Sequence, residues 1–349
     1  MTTAFDLTNA AAEPAVYVLH ENEDWLPPLR DAFAAEGVPL REIELTEGAI
    51  DLTAEPPQGV FWSRLSASSH TRDHGPAKEY ARAVLRWLEA HGRRVVNGSR
   101  VAELEVSKVA QYVALAAAGF DVPHTIAVFG REALAARAAE LPTPFITKHN
   151  QGGKGLGVRR FDSLAEFVEY VDGPDFEEPV DGITLLQEYL VGAEAFVTRA
   201  EFVDGEFVYA VRVDTSAGSF ELCPAEACAV PVGATDAPGG LAGLTAAPAQ
   251  LADFAPAAAA CEVGADSLFS IRSEITADDE LIVRLREFLA AQGVEVAGIE
   301  FMETVDGRRV VYDINTNTNY NPDVEAAAPV SAATTLVRAL GRELDATRK

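Results

Sequence analysis

Residues 147–160 read TKHNQGGKGLGVRR, with glycines at 152, 153, 155 and 157 around Lys154 and a second lysine, Lys148, ahead of them. A P-loop needs two glycines separated by four residues, then Lys and Ser or Thr, opening a helix. Here no such pair follows, and the loop runs into VRRF, an extended segment. A dinucleotide fingerprint fails at the same place, because its last glycines start a helix. What remains is strand, glycine loop, strand. In that setting backbone N–H groups can turn inward as a nest for an anion. The alternation Phe145, Ile146, Thr147, Lys148 sets Lys148 at the strand's end, within reach of the same anion. On these residues alone, a flexible hairpin loop with a solvated lysine stays open.

Outward from the loop, PFITKH and GVRRF read as its flanking strands, and Ser163-Leu164-Ala165-Glu166 as a capping box that starts the helix LAEFVEYV. Before them, HTIAVF is a strand, REALAARAAEL a helix, and residues 102–119 one long helix carrying Lys108. Earlier still, AVYVL, a helix with Leu26, Leu29, Phe33 and Ala34 on one face, PLREIEL, GVFWSRL and a helix over 76–91 form an α/β unit. After the loop come ITLLQEYL, two strands joined through Asp204-Gly205, and the helix DDELIVRLREFLAAQG. The fold class is therefore mixed, α/β and α+β. The expected division is an N-terminal α/β domain over 1–97, a central subdomain with the glycine loop over 98–182, and a C-terminal subdomain over 183–349. Within the last, 229–262 is an Ala/Pro/Gly-rich surface excursion.

The chain has 349 residues, of which 48% are hydrophobic, enough for more than one core. Its formal charge of −26 leaves no cationic excess to neutralise a nucleic-acid backbone, so no nucleic-acid partner is expected. An acidic surface with a few placed cations still suits a small anionic ligand. Three cysteines make no disulfide framework, and the N-terminal residues carry no leader pattern. With no stretch of membrane-spanning length, the expectation is a cytoplasmic protein without a membrane partner.

The last hairpin, residues 296–317, reads VAGIEFMETVDGRRVVYDINTN. If Asp306-Gly307 is a two-residue turn, Glu300 faces Asp313 across the ladder and Asn315 shares their face. Like charges directly opposite one another destabilise a sheet. A divalent cation removes the conflict, since two carboxylates and an amide oxygen suit Mg²⁺. An acidic, solvent-facing edge is the plain alternative, and a turn of odd length would spoil the register.

Taken in order, Lys108, Lys148, QGGKGLGV, LLQEYL and the Glu300/Asp313-Ile-Asn315 strands resemble the ATP-grasp superfamily, within it the RimK-like glutamate ligases and related amino-acid ligases. The resemblance covers about residues 98–349, and residues 1–97 more weakly resemble the pre-ATP-grasp α/β domain of that family. It implies ATP between two α+β units. Lys108 and Lys148 would contact its phosphates, and Gln151, Gly152, Gly153, Lys154 and Gly155 would close over them as a lid. Tyr189 and Leu190 would recognise adenine with Gln187 and Glu188 beside them, and Glu194 the ribose. Glu300, Asp313 and Asn315 would hold Mg²⁺, as two ions, with Mn²⁺ a substitute. Two positions depart from the family pattern: His149 stands where proline is common, and Asp313 where a glutamate is usual, with NTNTNYNPDVE lacking the Pro-Gly ending.

The implied reaction is ATP-dependent ligation of a carboxylate to an amine, with amino acids or short peptides as substrates, through an acylphosphate. An ATP-grasp kinase, or a nucleotide-binding module without catalysis, are the alternatives. Arg212, alternating away from Tyr209, Val211 and Val213, is expected to steady the transferred phosphoryl group, with Arg199 as second candidate. Residues 62–75, WSRLSASSHTRDHG, form a polar loop at a strand end. There Arg64 or Arg72 could clamp a substrate carboxylate, the alternative being a polar surface loop whose serines make local turns, with Asn317 a further substrate contact. A homo-oligomer is compatible with this reading.

Overall fold

The computed structural model describes residues 13–153, 155, 157–216 and 268–348. Lys154, the 229–262 excursion and the three cysteines lie outside the described residues.

The first sheet is wholly parallel, in the order β2-β1-β3-β4. Its strands are β1 (Ala15–His20), β2 (Leu40–Glu44), β3 (Gly59–Ser63) and β4 (Arg94–Val96). Helices α1 (Pro27–Glu36) and α2 (Ala77–Ala90) accompany it. Every residue of β1 and β3 is buried, as expected of parallel strands covered on both faces. The chain leaves β1 and β3 in opposite directions, which opens a crevice at their C-terminal ends. The loop 64–72 rises there.

The helix expected across 102–119 is two: α3 (Ser99–Glu105) and α4 (Lys108–Ala117). Ser107 breaks it by taking an extended backbone and capping α4, its Oγ accepting from Ala110 N at 3.2 Å. Asn150 adds a second cap, its Oδ1 accepting from Val109 N at 2.8 Å. Lys108 is thereby anchored at the start of a helix whose entry is tied to the glycine loop's own flank.

The second sheet is antiparallel, in the order β5-β8-β6-β7: β5 (Thr125–Phe129), β8 (Ile183–Glu188), β6 (Phe145–His149) and β7 (Arg159–Phe161). Helices α5 (Leu134–Ala138), shorter than its sequence pattern, and α6 (Leu164–Asp172) cover one face. Strands β6 and β7 pair directly across the glycine segment, Phe145 opposite Phe161. Ser163 caps α6 through Glu166 N, while the Glu166 carboxylate accepts from Asp162 N rather than from the cap residue.

The third sheet, in the order β11-β10-β9-β12-β13, is also antiparallel. It comprises β9 (Phe196–Val203), β10 (Glu206–Asp214), β11 (Phe269–Ile271), β12 (Val296–Glu303) and β13 (Arg309–Asn315). Asp204 and Gly205 both have positive φ, the two-residue hairpin turn anticipated. Helix α7 (Glu280–Gln292) packs on one face through Ile282, Leu285 and Leu289. After the short α8 (Pro322–Ala327), helix α9 (Ala332–Thr347) returns to the first sheet. Its Leu336, Val337, Leu340 and Leu344 share one core with Val16, Val60 and Trp62 of the first sheet and Val203 and Val296 of the third. That packing holds the first and third sheets together. Among the described residues no helix is long and apolar enough to cross a membrane.

The β12–β13 hairpin departs from the expected turn yet keeps the expected pairing of the two acids. Thr304 N donates to Arg308 O and Gly307 has φ 83°, so the turn is three residues, Val305–Gly307, not two. That shifts the ladder by one: Glu303 faces Arg309 and Phe301 faces Val311. A bulge at Tyr312 restores the register, and Glu300 faces Asp313 after all.

Candidate active site

A cleft of ≈ 760 Å³ lies between the second and third sheets and reaches the loop 64–72 of the first. Among its lining residues are Lys108, Lys148, Gly152, Gly153, Gly155, Gln187, Tyr189, Leu190, Glu194, Arg199, Glu300, Asp313, Asn315 and Asn317. Gln151, Glu188, Arg64, Arg72 and Arg212 are not among them.

At one end the chain leaving β8 forms a wall of Tyr189 and Leu190. Gln187 Oε1 accepts from Tyr112 OH at 3.0 Å, and Arg160 stacks 4.5 Å from the Tyr189 ring. Glu188 turns away, its Oε1 accepting from His124 N at 2.8 Å.

In the middle, Lys148 ends β6 and is buried, its Nζ 5.1 Å from the centre of the Tyr112 ring. Burial, then the charge of Lys108, lowers its pKa to about 7 against the pull of Asp313 and Glu300. The glycine segment passes close by. Gly157 has φ 68°, and the His149 ring lies where a Cβ there would be, its Nε2 2.6 Å from that point. His149, the departure from proline, thus covers the loop's second flank, with Nε2 3.2 Å from Glu177 O. Gln151 does not face the cleft: its Oε1 accepts from Lys78 Nζ at 2.5 Å, and Gly153 abuts Ser68. The glycine segment therefore docks on the first sheet's unit, a contact that the chain's order could not suggest.

Beyond the lysines stand Glu300 and Asp313. Lys108 donates to Asp313 Oδ1, and Arg199 Nη1 donates to Glu300 Oε1 at 2.9 Å. Asn315 Nδ2 lies 3.4 Å from the same oxygen. Burial and the facing Asp313 raise the Glu300 pKa against Arg199 and Lys108. Burial pushes Asp313 up, but the Lys108 ammonium together with the charges of Lys148 and Arg199 outweighs it and holds that carboxyl below its usual range. No group of three or more His, Cys, Asp or Glu among the described residues is arranged to hold a metal. The set here is two carboxylates and a carboxamide, which fits a hard cation that keeps water and phosphate oxygens in its other positions. Two protein cations already neutralise the pair, which is why the two acids can face each other in a buried sheet.

Register separates the two candidate arginines. Residues paired across a sheet share a face. Arg199 pairs with Glu300, and Glu300 with Asp313. Arg212 pairs with Thr198, and Thr198 with Phe301 in the core under α7, so Arg212 stands on the opposite face. Its guanidinium stacks on Phe196 at 4.5 Å. The expected phosphoryl contact of Arg212 is corrected on this ground. Arg199 is buried and braced, with Nε donating to Glu201 at 2.6 Å and Nη2 to Thr318 Oγ1 at 2.7 Å.

The other expected clamps are engaged by the protein. Arg64 Nε donates to Asn317 Oδ1 at 3.0 Å, and its Nη2 to Asn319 Oδ1 at 2.5 Å and Thr318 O at 3.1 Å. It orders the segment after β13 rather than facing the cleft. Arg72 is bound to the buried Glu21 at 2.5 Å and lies over Trp25 at 4.7 Å. Between them Ser66 and Ser68 do line the cleft, as do Trp25, Asn319 and Glu105, which sequence reasoning missed. Glu105 carried one usable signal, an acid closing an apolar helix face three residues before Lys108.

No family model matches the chain. A D-alanine–D-alanine ligase of Hydrogenovibrio crunogenus is 25% identical over 189 residues, which is 50% of this chain and 58% of that protein. A RimK-domain ATP-grasp protein of Sphaerobacter thermophilus superposes with TM-score 0.60 at 16% identity, over 93% of this chain and 98% of that one. The D-cycloserine synthetase DcsG gives TM-score 0.60 at 16% identity over 95% and 100%. The ATP-grasp ligase PsnB, solved with a minimal precursor, Mg and ADP, gives 0.59 at 17% identity over the full length of both. With two antiparallel sheets enclosing the cleft and an α/β unit ahead of them, the chain has the ATP-grasp fold.

Proposed function

We propose that the protein is an ATP-dependent carboxylate–amine ligase that joins amino acids or short peptides through an acylphosphate, releasing ADP and phosphate. One observation carries the reading: the buried Glu300 and the half-buried Asp313 facing it share a cleft with Lys108, Lys148 and the glycine segment. Binding alone does not require two acids to face each other in a cleft wall at that cost. Phosphoryl transfer does, because it is mainly positioning and charge neutralisation.

In this reading ATP enters as substrate, its base against Tyr189 and Leu190, its ribose near Glu194, and its phosphates under Gly152, Gly153 and Gly155 and beside Lys148. Glu300, Asp313 and Asn315 would hold Mg²⁺, two ions in all, with Mn²⁺ a substitute, and the metal supplies neutralisation of phosphate charge. Lys108, at the start of α4 and beside Asp313, would contact the phosphates. Arg199, held by Glu201 and Thr318, faces the acyl group and steadies the oxyanion of the tetrahedral intermediate. Residues 1–97, 98–182 and 183–349 would be the three working units. The sparse cysteines support a reducing, cytoplasmic setting.

The test is ADP release with Mg²⁺ over paired amino acids, with the product weighed by mass spectrometry. Amide product with stoichiometric ADP is expected. Phosphorylated product without amide would mean a kinase, and no ADP from any pair would overturn the reading.

A further inference from the structure

Four carboxylates line the cleft among the described residues: Glu105, Glu194, Glu300 and Asp313. The last two are the facing pair, and Glu194 lies just beyond the β8 wall. Glu105 has no part in the mechanism above. It is the last residue of α3, where the helix's partial negative charge disfavours an acid. It is also buried, where an ionised carboxylate loses hydration.

Its neighbours are all donors. Oε2 accepts from Thr316 N at 2.7 Å and Thr316 Oγ1 at 2.9 Å, and Oε1 from Ala67 N at 3.3 Å. Three donors describe a carboxylate rather than a carboxylic acid. Oε1 has only one long bond and so keeps accepting capacity for a group in the cleft. Glu105 thus stands between the loop 66–68, at the crevice of the first sheet, and the segment that follows the metal-site strand. Lys108, the first residue of α4, is the charged group that acts on it. The segments packed against it, 66–68 and 316–318, bring only Ser, Ala, Thr and Asn.

We propose that Glu105 accepts the proton of the amine substrate as its nitrogen attacks the acylphosphate. This rests on the ligase reading. The amine arrives as an ammonium and gives one proton to Glu105, which frees its lone pair. The N–C bond forms at the acyl carbon, whose π pair moves to oxygen. That pair returns as the C–O bond to phosphate breaks, and phosphate leaves with the bonding electrons and the nitrogen's second surplus proton. Burial raises the Glu105 pKa, which brings it closer to that of the amine it must deprotonate.

Glu105→Gln keeps the shape and one acceptor while removing the base. The probes are the acid giving fastest ADP release in the amino-acid screen, its amine partner, and hydroxylamine, which is unprotonated at neutral pH. Amide formation at pH 7 should fall about 10²-fold or more, while hydroxamate formation and ATP binding stay near wild type. The amide deficit should shrink as pH rises towards the amine's own pKa. Equal loss of hydroxamate and amide, or a deficit unchanged with pH, would overturn the proposal and leave Glu105 a strut between two segments. If the wild type itself gives neither product with any acid, the ligase reading fails and this inference with it. Should the glutamine variant not fold, Glu105→Asp serves, with amide formation reduced and hydroxamate formation kept.

Discussion

The Arg199 guanidinium occupies the space beside Gly298 that a side chain there would need. A Cβ on Gly298 would lie 2.7 Å from Arg199 Cζ, and nearer still to its nitrogens. Gly298 sits on β12 two residues before Glu300, so the missing side chain lets Arg199 lie flat on the sheet and reach that carboxylate.

Gly298→Ala should therefore move Arg199 without removing it. Displacing a catalytic group by about 1 Å can cost about 10²-fold in rate, and a loss of that order in ADP release is expected. Nucleotide affinity, read by calorimetry, should change little. An unchanged rate would show that Arg199 has room to spare.

Asp313→Asn removes one acid of the facing pair and the partner of Lys108. Maximal ADP release should fall, and the Mg²⁺ needed for half-maximal rate should rise, by at least ~10- to 100-fold. A Mg²⁺ titration of both proteins decides it; identical curves would exclude Asp313 from the metal set.

Lys148 gives a pH signature in stability. Its pKa in the fold is about 7, against about 10.4 for an unperturbed lysine. Between those values the unfolded chain binds a proton that the folded chain does not, so this group makes stability rise with pH across that window. Below pH 7 both states are protonated and the cost of the buried charge is present in full. Lys148→Met should remove that slope and stabilise the nucleotide-free protein most at pH 6–7. Urea midpoints of both proteins from pH 6 to 10 measure it, and parallel curves would contradict it.

Arg64→Met tests a structural assignment. Removing the guanidinium leaves the oxygens of Asn317, Thr318 and Asn319 without their donor. A loss of roughly 2–4 kcal/mol is expected, read by chemical denaturation. Weaker substrate binding with unchanged stability would instead restore the clamp.

Gly157→Ala meets two obstacles, a left-handed backbone and the His149 ring. ATP affinity should fall. Adding His149→Ala should recover the part due to collision but not the roughly 1–2 kcal/mol of backbone strain, a separation that a double-mutant cycle reads directly.

Local chemistry was legible in the chain. Strands on both sides of QGGKGLGV, the positive-φ turn at Asp204-Gly205 and the Ser163 cap depend on neighbours a few residues away. So does the alternation that put Glu300 and Asn315 on one face of their strands. A two-residue turn in the sequence implies the Glu300–Asp313 pairing, whereas the fold reaches it through a three-residue turn and a compensating bulge.

Tertiary structure alone decided which residues remain for chemistry. Arg199 and Arg212 look alike in sequence, and only register across three strands puts one with the acids and the other behind the sheet. Arg64 and Arg72 read as ligand contacts because polar loops at strand ends often are, and Gln151 because of the family resemblance, but the fold engages them with Asn317, Glu21 and Lys78, tens to hundreds of residues away. Glu105 shows the reverse, an ordinary helix-end acid until folding buries it beside the cleft. Side-chain chemistry and periodicity are properties of the chain itself; a group's freedom to meet a ligand depends on which distant partners arrive first.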